Sequence, residues 1–174
     1  IVGPGNVYVT AAKMMLRDEA DIDFPAGPSE IAILADESAE PSFIAADILA
    51  QAEHDPNAAC ILVTTDQVLA NKVGRELERQ LARSDRQDVL TRSLDNIGYA
   101  LATDLPSAAE VINMIAPEHL SIQVSDPLAV LSGIQNAGSI FVGRYAAVAC
   151  GDYASGTNHV LPTAGYASTY SGLD

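Results

Sequence analysis

Each of the three histidines in this sequence stands beside residues that could take part in chemistry with it. His54 follows Gln51 by three positions, and His119 directly follows Glu118. His159 lies near the end of a polar segment that contains glycines. All three lie in segments flanked by proline or glycine, and none lies on an apolar stripe where it would serve as a core residue. Together they favour a binding or catalytic site.

Gln51 and His54 lie near the end of a predicted helix over Pro41–Glu53, where a spacing of three places both side chains on one face. Helices often present metal ligands at this spacing. The carboxyl end of a helix also carries partial negative charge, which favours a bound cation. A histidine that only caps the last carbonyls is the alternative, and glutamine is an uncommon zinc ligand.

Glu118 and His119 follow Pro117 directly before a predicted strand. A carboxylate and an imidazole in this position could act as two separate proton-transfer groups on one substrate. An ordinary pair of polar loop residues is the alternative interpretation.

The segment Gly151–Pro162 is the most unusual part of the chain, because it is polar and carries both an acid and a histidine. Asp152 could supply an oxygen ligand to a metal, and His159 could hydrogen-bond to a substrate. Binding groups concentrate on loops that a rigid sheet holds in place. A purely structural loop remains an alternative.

A glycine turn, Gly3–Asn6, precedes a helical pattern and could bring the backbone close to a nucleotide phosphate. The turn lacks the spacing of the dinucleotide fingerprint, so an ordinary tight turn with Asn6 as helix cap explains it better.

Short apolar runs alternate with amphipathic stretches, which predicts an α/β fold with a parallel sheet and flanking helices. The predicted strands are Ile31–Ala35, Cys60–Thr64, Ile97–Ala102, Leu120–Val124 and Ser139–Val142. The predicted helices are Val7–Glu19, Pro41–Glu53, Gln67–Ser84, Leu105–Ile115 and Pro127–Asn136. Two prolines and a glycine in Phe24–Ser29 suit a crossing between two lobes.

Hydrophobic residues make up 48% of the 174 positions, as in a folded globular protein. The formal charge of −14 argues against nucleic acid and anionic membranes as partners. No apolar run has the length of a membrane helix. Cys60 and Cys150 adjoin apolar runs and are expected to be buried free thiols, which fits a reducing cytoplasm. The chain begins within an apolar strand-like piece, so we expect a longer parent polypeptide.

In combination, the motifs resemble histidinol dehydrogenase. The matching segments follow the family's order across nearly the whole chain: Gly3–Asn6, Ile22–Glu30, Gln51–Pro56, Pro117–Leu120 and Gly151–Pro162. The resemblance implies a cytoplasmic enzyme of histidine biosynthesis. Such an enzyme oxidises L-histidinol through L-histidinal to L-histidine, with two NAD+ and a zinc ion.

The resemblance also implies a homodimer in which Gln51, His54 and Asp152 hold the zinc. A histidine from the C-terminal region of the partner subunit, which this chain does not contain, is the expected fourth ligand. His119 would accept the alcohol proton as the general base, and Glu118 would activate the water that hydrates the aldehyde.

Further contacts follow from the same resemblance. Asn6 is expected to contact NAD. The expected substrate-binding residues are Ser29, Gln51, His54, His119, Asp152 and His159.

The family fold implies two incomplete Rossmann-like lobes, with one inserted into the other. Residues 1–29 would end the inserted, NAD-contacting lobe, and residues 30–174 would form the second half of the main lobe, with the zinc and catalytic residues. Two alternatives stay open. The parent could be a related zinc-dependent dehydrogenase of another small hydroxylated compound, such as a sulfonate alcohol, or this chain could be an inactive fragment.

Overall fold

A computed structural model describes residues 1–3, 7–23, 27–156, 158 and 161–170 of the chain. Its strands are β1 Glu30–Ala35, β2 Ala59–Thr64, β3 Ile97–Leu101, β4 His119–Gln123 and β5 Ser139–Val142. They form one sheet in the order β3-β2-β1-β4-β5, and every neighbouring pair is parallel. The α/β fold class with a parallel sheet is therefore confirmed.

Helices cover both faces of this sheet. They are α1 Val7–Leu16, α2 Pro41–Ala52, α3 Gln67–Leu81, α4 Gln87–Ser93, α5 Leu105–Ile115, α6 Pro127–Leu131 and α7 Ala149–Tyr153. Single 3₁₀ turns lie at Leu94–Asn96 and Tyr166–Ser168.

The central strand β1 is almost continuously apolar because helices cover both of its faces. Ile31 and Ile33 point into one core, with residues of α2 and α3, whereas Ala32 and Leu34 point into the other, with residues of α5. Successive side chains of a strand face opposite sides, so a strand covered on both faces needs apolar residues at every position. This packing fixes β1 and its neighbour β4, and with them the residues at their ends.

Acidic residues cap the helices that begin where strands end. The carboxylates of Asp66, Asp104 and Asp126 accept hydrogen bonds from the first-turn amides of α3, α5 and α6. Glu40 caps α2 in the same manner, and Pro41 stands at its first position, where no intrahelical hydrogen bond is lost.

Several sequence-based boundaries were wrong. Helix α6 ends at Leu131 instead of Asn136, because Asn113 accepts the Gln135 and Asn136 amides and holds that segment as a turn. Helix α1 ends at Leu16 and α3 at Leu81. Helix α4 was not predicted, since its seven residues are too few to show a helical period.

The segment after β5 also differs from the expected loop. Residues Ala149–Tyr153 form α7, so Gly151 and Asp152 lie in a short helix. Cys60 is buried and free as expected, but Cys150 is free and exposed. Cys150 follows the buried Val148 by two positions, which places it on roughly the opposite side of the helical turn.

The part of the chain before β1 has its own polar anchor. The ammonium of Lys13 lies 2.7 Å from the carboxylate of Asp23, which also accepts the Gly3 amide at 2.9 Å. All strands in the described part of the chain follow residue 29, and the division into two lobes there stays a prediction. Among the described residues, no helix combines the length and apolar character that crossing a membrane requires.

Candidate active site

A cavity of about 400 Å³ opens where β1 and β4 begin and α2 ends. Helix α2 connects two parallel strands and so runs antiparallel to them, which brings its carboxyl end to the amino edge of the sheet. The side chains around the cavity come from these elements and from α7. The lining residues are Ser29, Asp47, Ala50, Gln51, Glu53, His54, Arg86, Glu118, His119, Val148, Ala149 and Tyr153.

Gln51 and His54 both line this cavity, although α2 ends at Ala52 and His54 lies in the following turn. The amide of His54 donates to the carbonyl of Gln51 at 3.2 Å, which continues the helical course far enough to keep the two side chains together. Gln51 is only 7% exposed, and none of the described residues hydrogen-bonds to its side-chain amide. The amide lines the cavity with no hydrogen-bond partner among the described residues, which leaves its oxygen and its NH₂ group available to a ligand from outside the chain.

Glu118 and His119 stand at the start of β4 and line the same cavity. Glu118 is 4% exposed, and its Oε2 accepts the backbone amide of Glu30 at 2.9 Å. The neighbouring strand approaches closely here, because a Cβ added at Gly138 would lie 2.7 Å from the Glu118 carbonyl oxygen. Only glycine allows this approach, so Gly138 sets the position of the Glu118 backbone.

The ring of His119 has two acceptors near its Nδ1 atom. The Glu30 carbonyl oxygen lies 3.3 Å from Nδ1, and Glu118 Oε2 lies 3.6 Å from it. A carbonyl oxygen accepts only, and so does an ionised carboxylate, so this surrounding favours a proton on Nδ1. The Nε2 atom of a neutral ring then keeps its lone pair and is able to accept a proton.

Asp47 is a buried acid on the same helix as Gln51, one turn before it. Its carboxylate accepts the Gln123 side-chain amide at 3.1 Å and the Val148 backbone amide at 3.4 Å. Burial raises the pKa of Asp47 to about 6, although hydrogen bonds from Val148 and Ser121 oppose the shift. Because Val148 precedes α7, Asp47 ties the helix that carries Gln51 to the helix that carries Asp152.

Glu30 lies between β4 and the segment after α7. Burial raises the pKa of its carboxyl, and hydrogen bonds from the Glu118, Ala164 and Gly165 amides only partly offset this effect. Two carboxyl groups, Glu30 and Glu118, therefore stand withdrawn from solvent at the starts of the two central strands.

The structure brings most of the predicted site residues together. Ser29, Gln51, His54, Glu118 and His119 line one cavity. Asp152 lies in α7 between two lining residues, and its side chain is outside what the structure describes. Asn6 and His159 lie outside the described residues as well.

The described residues contain no group of three histidine, cysteine, aspartate or glutamate side chains placed to hold a metal. Gln51 is not one of these residue types, and the side chain of Asp152 lies outside what the structure describes. The Gln51 amide oxygen and the His54 imidazole are two of the donors that line the cavity, beside the carboxylates of Asp47, Glu53 and Glu118 and the imidazole of His119. Imidazole is a common zinc ligand and a glutamine amide an uncommon one.

Sequence reasoning missed four polar or charged cavity residues: Asp47, Glu53, Arg86 and Tyr153. Asp47 had a readable signal, because it is the single charged residue of the otherwise apolar α2 and stands four positions before Gln51. Arg86 and Tyr153 gave no signal, since only the tertiary fold carries their segments to the cavity. A second cavity, of about 390 Å³, is lined mainly by aliphatic residues and contains none of the predicted site residues.

The whole chain matches known proteins in sequence and in structure. The family model for histidinol dehydrogenase matches residues 1–174. The histidinol dehydrogenase of Methanosarcina mazei is 58% identical over 174 residues, which make up 100% of this chain and 40% of that protein. The one from Bacteroides fragilis is 53% identical, with 99% of this chain and 41% of that protein covered.

A crystal structure of histidinol dehydrogenase from Elizabethkingia anophelis matches with a TM-score of 0.95 and 41% identity, over 100% of this chain and 40% of that one. The chain thus spans about 40% of the length of the relatives that it matches. Since the family model covers every residue and the solved relative shares the fold throughout, the chain belongs to the histidinol dehydrogenase family.

Proposed function

We propose that this chain forms the catalytic part of an enzyme that oxidises L-histidinol through L-histidinal to L-histidine in histidine biosynthesis. One observation carries the proposal. Glu118 and His119, whose side chains are able to transfer protons, line the same cavity as Gln51 and His54, whose side chains are able to bind a metal. Membership of the histidinol dehydrogenase family supports this choice of substrate.

The cavity residues fit a zinc ion. Among the described residues the Gln51 side-chain amide has no hydrogen-bond partner, and it lines the same cavity as the His54 imidazole. Asp152 would be the third ligand, with a histidine of the partner subunit in a homodimer as the fourth. When bound, zinc supplies an attachment point for the imidazole and amine of the substrate, and NAD+ supplies the hydride acceptor.

His119 acts as the general base in this scheme. Its Nδ1 lies within hydrogen-bond distance of the Glu30 carbonyl oxygen, at 3.3 Å, so Nε2 is the atom that takes the alcohol proton as the hydride leaves. After the hydride transfer the aldehyde must be hydrated before a second oxidation. Glu118, a carboxylate on the cavity wall, takes a proton from the attacking water at that stage.

The remaining contacts complete the binding of substrate and cofactor. Ser29 lines the cavity, where its hydroxyl would hydrogen-bond to the substrate. His159 is proposed as a further substrate contact, and Asn6 as a contact of NAD. We also propose a cytoplasmic location, where both cofactors are at hand.

A chimaeric enzyme tests the proposal. This chain would replace the segment that it matches in the Methanosarcina mazei relative, and NADH formation from L-histidinol would be followed with and without a zinc chelator. We expect two NADH for each histidinol and loss of turnover on chelation. A chimaera that folds but oxidises a sulfonate alcohol and not histidinol would contradict the proposal.

A further inference from the structure

Glu30 contacts the Glu118–His119 pair through its backbone and its side chain. Its backbone amide donates to Oε2 of Glu118 at 2.9 Å, and the backbone amide of Glu118 donates back to Oε1 of Glu30 at 3.3 Å. Its carbonyl oxygen lies 3.3 Å from Nδ1 of His119. The two strands β1 and β4 are thus locked together at their first residues by a reciprocal pair of hydrogen bonds.

The Glu30 carboxylate also holds the segment that follows α7. It accepts the Ala164 amide at 3.1 Å and the Gly165 amide as well. Ala164 and Gly165 have φ of 53° and 77°, and two successive left-handed residues turn their amides toward one anion. The left-handed region is unfavourable for alanine, so the Glu30 carboxylate compensates for local strain.

We propose that Glu30 is a positioning residue of the site, which keeps the ring proton of His119 on Nδ1 and fixes the orientation of the Glu118 carboxylate. It does so by docking the start of β4 and the Thr163–Gly165 segment onto one carboxylate. The catalytic value of this arrangement rests on the proposed function, but the arrangement itself does not. A lone pair on Nε2 is what a general base at this position requires.

The proton position can be read directly from the ring nitrogens. In the chain labelled with nitrogen-15 at histidine, a long-range proton–nitrogen correlation spectrum distinguishes a protonated from an unprotonated ring nitrogen. A His119→Asn variant assigns the signals. At a pH where the ring is neutral we expect His119 with its proton on Nδ1, in contrast to a free imidazole side chain, which prefers Nε2. A proton on Nε2 would overturn the proposal.

The substitution Glu30→Gln tests the role of the carboxylate. The glutamine side chain has one acceptor oxygen, whereas the carboxylate has two. Its NH₂ group would therefore stand against a backbone N–H whose hydrogen bond the carboxylate accepts in the unsubstituted chain, so that two donors would face each other. We expect a mixture of His119 tautomers and, in the chimaera, a kcat lowered by roughly 10–100-fold with KM changed much less. The same exchange at the exposed Glu37 is the matched control and should alter neither.

Two outcomes separate this inference from the proposed function. A folded Glu30→Gln variant with an unchanged His119 tautomer would contradict the positioning role, whatever the enzyme oxidises. If the chimaera fails to oxidise histidinol, the proposed function fails, but the tautomer of His119 still decides the role of Glu30. If Glu30→Gln does not fold, the tautomer of His119 in the unsubstituted chain decides the proposal: a proton on Nδ1 supports it, and a proton on Nε2 overturns it.

Discussion

At the central strands β1 and β4, the two edges of the sheet differ in how far hydrogen bonds offset the burial of a carboxylate. At the carboxyl edge, the carboxylate of Asp36 accepts the amide and the hydroxyl of Ser125 at 2.9 and 2.8 Å, and both polar groups of Ser38 as well. Burial would raise the pKa of Asp36, but these hydrogen bonds outweigh it and lower the pKa. At the amino edge, burial raises the pKa of Glu30 despite its partners, and a cavity opens beside it.

The helix ends explain which ligands each edge suits. Doubly wound folds usually bind phosphates at the carboxyl edge, on helix N-termini that carry partial positive charge. In this chain the carboxylates of Glu40, Asp66, Asp104 and Asp126 already occupy the N-termini of α2, α3, α5 and α6. The carboxyl end of α2 instead points to the amino edge, where its partial negative charge favours cations. The amino edge is therefore the edge suited to zinc and to a basic substrate.

The largest expected effect comes from removing the proposed base. In the chimaera, His119→Asn should lower kcat by about 10²–10⁴-fold with a smaller change in KM, because asparagine keeps polarity but cannot accept the proton. NADH formation measures it. Asp104→Asn at the carboxyl edge is the control and should leave kcat unchanged, since asparagine also caps helices well. Equal losses in both variants would mean that the two edges do not differ in function.

Zinc binding should show the next largest effect. Outer-sphere partners of a metal typically contribute about 10–100-fold to its affinity, so loss of two direct ligands in Gln51→Ala with His54→Ala should weaken zinc binding by more than that. Isothermal titration of zinc into the chain measures it. Gln135→Ala, at an exposed glutamine, serves as the control. Identical titrations of the double variant and the unsubstituted chain would show that the cavity holds no specific metal site.

The sequence predicted the parts of the fold whose signal is local. Strands covered on both faces gave continuous apolar runs, and Pro41 marked the start of α2. The motifs of the proposed site were readable because they combine unusual residue types at short spacing, as Gln51 with His54 and Glu118 with His119 do.

Long-range contacts could not be read in this way. Glu30 and Glu118 are 88 positions apart, and their reciprocal hydrogen bonds exist only because β1 pairs with β4. Val148 and Asp47 are 101 positions apart, and no local pattern connects them. The short helix α7 was mistaken for a loop, since its five residues include a glycine and follow a turn.

The free energy of unfolding should depend on pH through the carboxyl group of Asp47. Its folded pKa of about 6 lies above the usual aspartate value of 3.8, so the folded state holds the proton more tightly than the unfolded state. Its contribution is nearly complete at about pH 4 and is lost by about pH 8, once the pH has risen through the folded pKa, a change of roughly 2–3 kcal/mol. Urea unfolding of the chain and of Asp47→Asn at both pH values should show this difference. Parallel pH dependences in the two proteins would contradict it.

Asp36 should behave in the opposite way and with a smaller effect. Its pKa is lowered in the folded state, so its contribution is present above the unfolded pKa and is lost as the pH falls through the folded value. In Asp36→Asn, a single amide oxygen would have to accept the hydrogen bonds from Ser38 and Ser125 that two carboxylate oxygens accept in the unsubstituted chain. The substitution should therefore reduce the free energy of unfolding by about 2 kcal/mol at neutral pH. Urea unfolding measures this loss, which should shrink in acid. Asp18→Asn, at an exposed acid, should change stability little. If Asp36→Asn instead lowered turnover in the chimaera as strongly as His119→Asn, the carboxyl edge would have to be part of the active site.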